Sequence, residues 1–496
     1  MQELIKAIQA RAKEFGPKLA AQAYAQGLAV TLPDGTSRPI PIAATPIAVE
    51  VERVHGAASL SKQLSFAAFK MARFALNGAH RELLLGAMAP KERAVIEKTH
   101  AAVERLACTR VDFFAEGEPT DGPLRALEIN ATIPAMQGYS DIAAGCFIET
   151  VGTMAGASPA QISQWRERNG SNVLALYQAL TAAFQADRGT MPNRIAVLCR
   201  RNDSQLRELR YIAKRFGELG TPAELVFPDQ LGGRERLEAQ GRTFDLVYRH
   251  FFVRRLDEID APFLEQFFSE YPSPRAAMFN PPATQFEIKT TFALLSEALI
   301  NPALAAGAEL EPGELEAIRA AVPWTRPFRA GAITDAAGRR IDDAVEYIAS
   351  QPSRFVLKRA WEYGGKAVFV GKAASEPSFA ERSRAAYGEA LDWPKLCRRA
   401  AEDPVGGGFV VQEFIPIASH NVLVCSPDGL QSADWYIDFS AYASVGVEPS
   451  PNWGGVCRGS CSEVVNIVGG GGVLPLIQRS IADELWRALR RAPGAN

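Results

Sequence analysis

The chain has 496 residues, 47% of them hydrophobic, enough to bury a large core and to form two or three domains. Its 54 Lys and Arg stand against 56 Asp and Glu, a net charge of -2 with no basic block, which argues against nucleic acid as a partner, because phosphate-backbone binding needs a concentrated positive face. No run approaches a transmembrane span, and residues 1–13 read as a mixed-charge amphipathic helix unlike a secretory signal, so a cytoplasmic protein without a membrane partner is expected. The seven cysteines are odd in number and scattered, which predicts free thiols. The five histidines, at 55, 80, 100, 250 and 420, show no ligand spacing, and each reads as a surface or a satisfied core residue.

Apolar residues at helical spacing predict helices over 63–76 and 92–106. Two strand-like runs follow, 108–114 and 124–130, joined by a segment dense in turn formers, and they predict an antiparallel hairpin. Centred near Thr120, that hairpin places Arg110 opposite Asn130 and Asp112 opposite Glu128, all on one face under the two-residue period. Four polar groups on one face build a poor core, whereas Glu128 and Asn130 offer the hard oxygen donors that Mg²⁺ takes. An edge hairpin with a solvated polar face is the other reading.

A helix is predicted over 172–187, and Met191-Pro192-Asn193 then marks a change of texture. Strands at 194–199, 223–227 and 244–248, with a helical stripe from Leu206 to Phe216, predict a small parallel sheet with a crossover helix. Ligands of such sheets lie beyond the carboxyl ends of the strands, which brings forward Arg200 to Gln205 and Arg249 to Phe252. Arg207 is a candidate for substrate contact there, and Arg210 reads as part of a solvated helix face.

Residues 284–299 predict a helix with Lys289 in its first turns. The strand Phe355-Val356-Leu357-Lys358 then runs into Glu362-Tyr363-Gly364-Gly365-Lys366, and a second strand begins at Ala367. A Lys at a strand end, a loop carboxylate and paired glycines suit a triphosphate and its metal, although a Lys- and Gly-bearing surface hairpin has the same pattern. After Gly406-Gly407-Gly408, the strand 409–415 ends in the polar pair Gln412-Glu413, able to face an adenine edge and a ribose or merely to fray into solvent. Arg458 precedes Asn466 and the four glycines 469–472, which read either as a hinge or as a backbone cradle for an anion.

In this order, from about Arg110 to Gly472, the parts resemble the circularly permuted ATP-grasp ligases of the eukaryotic-type glutathione synthetase group. Arg110-x-Asp112 with Glu128-x-Asn130, Asp245-Leu246-Val247-Tyr248 followed by Arg249, Thr284-Gln285 with Lys289, and Lys358 through Gly365 are similar to segments of that family. The resemblance implies an α/β ATP-grasp fold with an inserted small parallel α/β substrate domain, divided here as 1–190, 191–280 and 281–496. It implies ATP and Mg²⁺ as cofactors, with Glu128, Asn130 and Glu362 holding metal and Lys289, Lys358, Gly364, Gly365, Lys366, Gln412, Glu413 and Asn466 holding the nucleotide. Arg458 and Arg110 would be catalytic and bind substrate, together with Thr132, Arg207, Gly469 and Gly470.

The implied reaction joins a small-molecule carboxylate to an amine through an acyl phosphate, under a glycine-rich lid, and leaves room for a homodimer. Two departures lie near the acceptor and triphosphate end: Ser460 stands where the family has Lys, and the segment between Ile417 and Trp453 is longer than the family's. The turn after Asn130 lacks the family's serines, so glutathione is not the expected product. A kinase using Asp112 as its catalytic carboxylate, or a catalytically silent nucleotide-binding scaffold, are the competing readings.

Overall fold

The computed structural model describes residues 1–491, so the last five residues of the expected 281–496 unit lie outside it. Its centre is a six-stranded antiparallel sheet in the spatial order Gly472–Leu474, Gly455–Ser460, Gly429–Val445, Leu106–Ala115, Leu124–Asn130, with His420–Ser426 also pairing Gly429–Val445. One face carries Val111, Phe113, Ile129, Phe439, Ala441 and Cys457 and packs on the long helix Val51–Leu76, which in turn packs on the helix Lys289–Ala298. Each large apolar side chain so covered contributes about 1.5–3 kcal/mol. The other face is polar over part of its width and apolar where Tyr442 and Val456 meet the helices Ala12–Gln26, Gln137–Met154 and Asn172–Arg188.

The hairpin has the expected register, with Arg110 opposite Asn130 and Asp112 opposite Glu128. Its neighbour Gly429–Val445 was not foreseen. Residues 437–445 of that strand are buried on both faces, so the alternation that betrays a half-exposed strand is missing.

Two further sheets flank the centre. The parallel sheet runs Ala277–Phe279, Leu246–Arg249, Ile195–Leu198, Ala223–Val226, with the helix Leu206–Glu218 as the crossover between the last two. The expected strand 244–248 is broken at Asp245, whose carboxylate accepts from the backbone of Asn193 and Arg194, and Arg242–Phe244 turns away to pair with Leu237–Ala239. The third sheet is antiparallel, Thr325–Phe328, Phe409–Glu413, Phe355–Arg359, Val368–Val370, and packs its own helices through Phe355, Leu357, Phe369 and Trp393. The helix expected over 92–106 ends at Thr99, because the chain must extend by Leu106, which pairs with Val445. Among the described residues no helix is long and apolar enough to cross a membrane.

Close packing at the centre leaves no room at Gly459, where an added Cβ would sit 2.5 Å from Trp435. Gly459→Ala is therefore expected to destabilise the protein by about 1–3 kcal/mol, measured as a lower denaturation midpoint in urea.

Candidate active site

The polar half of the central sheet, the 355–370 hairpin and the carboxyl ends of the parallel strands enclose a cavity of about 640 Å³. Strand alternation puts Arg110, Asp112, Glu128, Asn130, Asp438 and Arg458 on one face of four neighbouring strands. Arg110 donates to Asp112 through Nε (2.6 Å) and Nη2 (3.0 Å), and through Nη1 to the carbonyl of Ala135 (2.7 Å). Arg458 donates from Nη2 to Asp112 (2.8 Å) and from Nε to both oxygens of Asp438 (3.2 and 2.9 Å), which lies directly across the ladder.

Burial alone would raise the Asp112 carboxyl, but the two guanidiniums beside it prevail and hold it far below the usual carboxylate range. Burial prevails at Asp438, which is raised despite Arg458. Arg458, desolvated between two carboxylates, is held still more firmly as a cation. Its Nη1 makes no hydrogen bond among the described residues, so Arg458 offers the cavity one donor and not the two-pronged clamp expected of a free guanidinium.

Lys358 and Lys289 approach from the other wall. Lys358 is the strand residue expected, and its Nζ donates to Gln412 Oε1 (2.6 Å) and the carbonyl of Leu127 (3.2 Å); burial pushes it down to about 8, against the pull of Glu128. Lys289 is the first residue of its helix, with Nζ 3.1 Å from Glu128 Oε2 and 2.7 Å from the carbonyl oxygen of Glu362. The glycine-rich loop thus reaches the sheet through a lysine. Gly364 and Gly365 both have positive φ (68° and 71°), and a Cβ at Gly365 would strike Val464 at 2.6 Å. Asn466 Nδ2 donates to the Gly364 carbonyl (2.6 Å), tying this loop to the 462–468 segment. Tyr363 stacks on Phe252 (4.6 Å between centroids), accepts a hydrogen bond from Arg255 and lies under the guanidinium of Arg254, which is also 3.7 Å from Glu362.

These residues fit a nucleotide and a hard cation. Two lysines crowd around one carboxylate, an arrangement that phosphate oxygens would relieve, and the Asn130 side chain, which lines the cavity, makes no hydrogen bond among the described residues, so its oxygen is free for a cation. Among the described residues no three His, Cys, Asp or Glu side chains form a metal cluster, so the candidate set is two carboxylates and an amide.

Of the residues expected at the site, Arg110, Glu128, Asn130, Lys289, Lys358, Glu362, Gly364, Gly365, Lys366, Gln412, Glu413, Asn466 and Arg458 line the cavity. Thr132, Arg207, Gly469 and Gly470 do not. Thr132 is buried and gives its backbone N–H to Glu287 (2.8 Å). Arg207 stacks on Tyr24 and donates to its carbonyl, pinning two helices together. Gly469 and Gly470 form an exposed turn, and Gly472 is already strand. The Gln412 side chain is consumed by Lys358 and Thr325, so it positions Lys358. Ser460 is turned into a hydrogen bond with the Ser462 carbonyl (2.6 Å) and does not line the cavity.

Asp438, Glu287, Arg254 and Arg255 were missed. A lone carboxylate in the β-forming run Tyr436 to Tyr442 was the available signal for Asp438. His250 is neither surface nor satisfied: it is 2% exposed, lines the cavity and has no partner on Nδ1.

No family model matches the chain, and no curated protein matches its sequence. Among solved structures it is similar to a glutathione synthetase-like effector from Globodera pallida, in the apo form, with a TM-score of 0.58 and 11% identity over 95% of this chain and 97% of that one. A provisionally named gamma-glutamylcysteine synthetase from Methylobacillus flagellatus matches at a TM-score of 0.38 and 10% identity over 85% of this chain and 93% of that one, too loose to carry an argument. The chain therefore has a mixed α/β fold of the glutathione synthetase-like kind.

Glu287 holds the turn after Asn130 by accepting from the backbone of Ala131 (2.7 Å) and Thr132 (2.8 Å), and burial raises its carboxyl to about 7. A carboxyl raised on folding binds its proton more tightly in the native state, so its stabilising contribution is complete below the unfolded value and is lost as pH rises through about 7. Glu287→Gln is expected to flatten the fall in stability between pH 5 and 8 by on the order of 1–3 kcal/mol, read from urea denaturation at both ends.

Proposed function

We propose that the protein is an ATP-dependent ligase of the circularly permuted ATP-grasp type, which joins a carboxylate to an amine through an acyl phosphate. The observation that carries this reading is the convergence of Lys289, Lys358, Glu128, Asn130 and Glu362, from far-apart segments, on one cavity whose wall is the Arg110–Asp112–Arg458–Asp438 network. The glutathione synthetase-like fold agrees with it.

On this reading the triphosphate lies under the 361–367 loop, with Lys289 and Lys358 as point charges on its oxygens and the strand end Gln412 to Ile415 beside the base. Glu128, Asn130 and Glu362 would hold Mg²⁺, which supplies charge neutralisation at the transferring phosphoryl group. The protein contributes position. Holding the two reactants in line accounts for roughly 7–11 kcal/mol of barrier. Arg458, immobilised by two carboxylates, points Nη1 at the acyl phosphate and at the oxyanion that follows. The loop excludes water that would hydrolyse the intermediate.

The kinase reading needs Asp112 as a base. With both oxygens engaged by Arg110 and one also by Arg458, and held far below the carboxylate range, Asp112 is a poor proton acceptor. A silent scaffold has no use for a desolvated Lys358.

The test is to supply ATP, Mg²⁺, the twenty standard amino acids and hydroxylamine. ADP, free phosphate and hydroxamate are expected in step. A phosphorylated organic product without free phosphate would overturn the ligase reading. Glu362→Gln is expected to cut turnover by at least about 10²-fold while leaving the thermal midpoint nearly unchanged, because the loop carboxylate is partly exposed and serves charge, not packing.

A further inference from the structure

The parallel sheet reverses its winding between Ile195–Leu198 and Leu246–Arg249. The chain leaves Leu198 through the crossover helix to Ala223–Val226 on one side, then returns to pair Leu246–Arg249 on the other. The crevice outside the carboxyl ends at such a reversal is where open parallel sheets take ligands.

Asp203 and His250 sit in that crevice and line the cavity. The His250 backbone N–H donates to the Leu198 carbonyl (2.8 Å), and the imidazole Nε2 lies 3.6 Å from Asp203 Oδ1. Asp203, 5% exposed, accepts from the Gln205 backbone (3.0 Å) and from Nε and Nη2 of Arg200 (3.3 Å each). The imidazole Nδ1 is buried and unpartnered, an energetic cost the protein bears with no structural return. The crevice adjoins the arginine network through a short turn: Ala135 O accepts from Arg110, and Met136 Sδ is 4.0 Å from Gln205 Nε2.

We propose that this crevice receives the amine substrate as its ammonium and that His250 accepts the proton it must lose, with Asp203 orienting the imidazole. The assignment rests on the ligase reading. The ammonium gives one proton to neutral His250. The freed amine lone pair forms the C–N bond to the acyl carbon while the C–O bond to phosphate breaks, and the second N–H proton leaves with the phosphate as hydrogen phosphate. Asp203 is the anion that attracts the ammonium, kept ionised beside the Arg200 guanidinium and the Gln205 N–H.

The other charged or titratable groups around His250 do not serve as the base. Glu208 is engaged by the Gly138 N–H (3.0 Å) and by Gln205 Nε2 (3.0 Å) and does not line the cavity. Tyr248 packs against the ring and does not line the cavity, Tyr139 lines it but spends its hydroxyl on the Ala29 carbonyl (2.7 Å), and burial raises both well above the usual phenol range, while Arg200 and Arg110 are cations paired to Asp203 and Asp112.

Hydroxylamine is uncharged near neutral pH and needs no base, whereas ethylamine arrives protonated. With ATP, Mg²⁺ and the twenty standard amino acids as carboxylates, His250→Gln is expected to keep hydroxamate formation within about 3-fold of the parent while ethylamide formation falls about 10²–10³-fold, the loss shrinking as pH rises and free ethylamine accumulates. Should that variant fold poorly, Asp203→Asn carries the same test, with a loss of about 10-fold confined to the ethylamide. Unchanged ethylamide formation, or equal loss of both products, overturns the role of His250 and leaves the ligase reading standing. A parent enzyme that makes no hydroxamate overturns the ligase reading and this assignment with it.

Discussion

Two arginines and two aspartates, alternating across three strands of the central sheet, set the terms for everything around them. Charges this deep are tolerated only when each is paired, because the desolvation penalty of several kcal/mol per ion must be met locally. Arg110, Asp112, Arg458 and Asp438 meet it within one another's reach, and the pairings of Arg458 with Asp112 and Asp438 depend on strand register. Removing one member leaves an uncompensated buried charge, at a cost of about 3–5 kcal/mol, so the network fixes the register of the sheet as firmly as the sheet fixes the network. The consequence for chemistry is rigidity. Arg458 cannot swing to follow a ligand, so a ligand must come to it.

The opposite wall is built on another logic. Lys289 and Lys358 are desolvated but short of anionic partners, with Glu128 the carboxylate nearest both. One wall satisfies itself, and the other sets two lysines against one carboxylate. Between them the 361–367 loop is held by few apolar contacts and several directional ones: Tyr363 on Phe252 and Arg255, Glu362 to Lys289 and Arg254, Gly364 to Asn466. Segments so attached sit at the low-stability end of a protein, which is what the ligase reading asks of a loop that closes over the nucleotide. Tyr363 makes the loop's position depend on the parallel-sheet side of the cavity, through Phe252 and Arg255.

On the ligase reading, this division explains where the chain departs from the family it resembles. The nucleotide end keeps its lysines, carboxylates and glycines. The acceptor end does not: Ser460 is folded away, Gly469 and Gly470 lie outside the cavity, and Thr132 is sealed behind Glu287. Recognition of the second substrate then falls to the ends of the parallel strands, where Asp203, Gln205 and His250 replace those positions.

The sequence by itself determined what depends on neighbours along the chain. Alternation and turn composition fixed the 106–130 hairpin down to the pairs Arg110–Asn130 and Asp112–Glu128, and the texture change after Met191 marked the parallel sheet. Lys358 and the paired glycines were legible because a strand end and a positive-φ turn leave local signatures. What the sequence left open was decided by partners distant in the chain. Asp438 lies in a strand buried on both faces, where alternation vanishes, and it matters only because Arg458 lies across the ladder. Arg207 and Arg458 look alike as strings of letters; packing against Tyr24 made one a brace, and two buried carboxylates made the other a fixed donor. His250 carried no spacing signal at all. The strand pattern did bring its segment and residues 200–205 forward as ligand-side strand ends, and the tertiary structure decided the rest, setting the imidazole 3.6 Å from Asp203 and against the cavity.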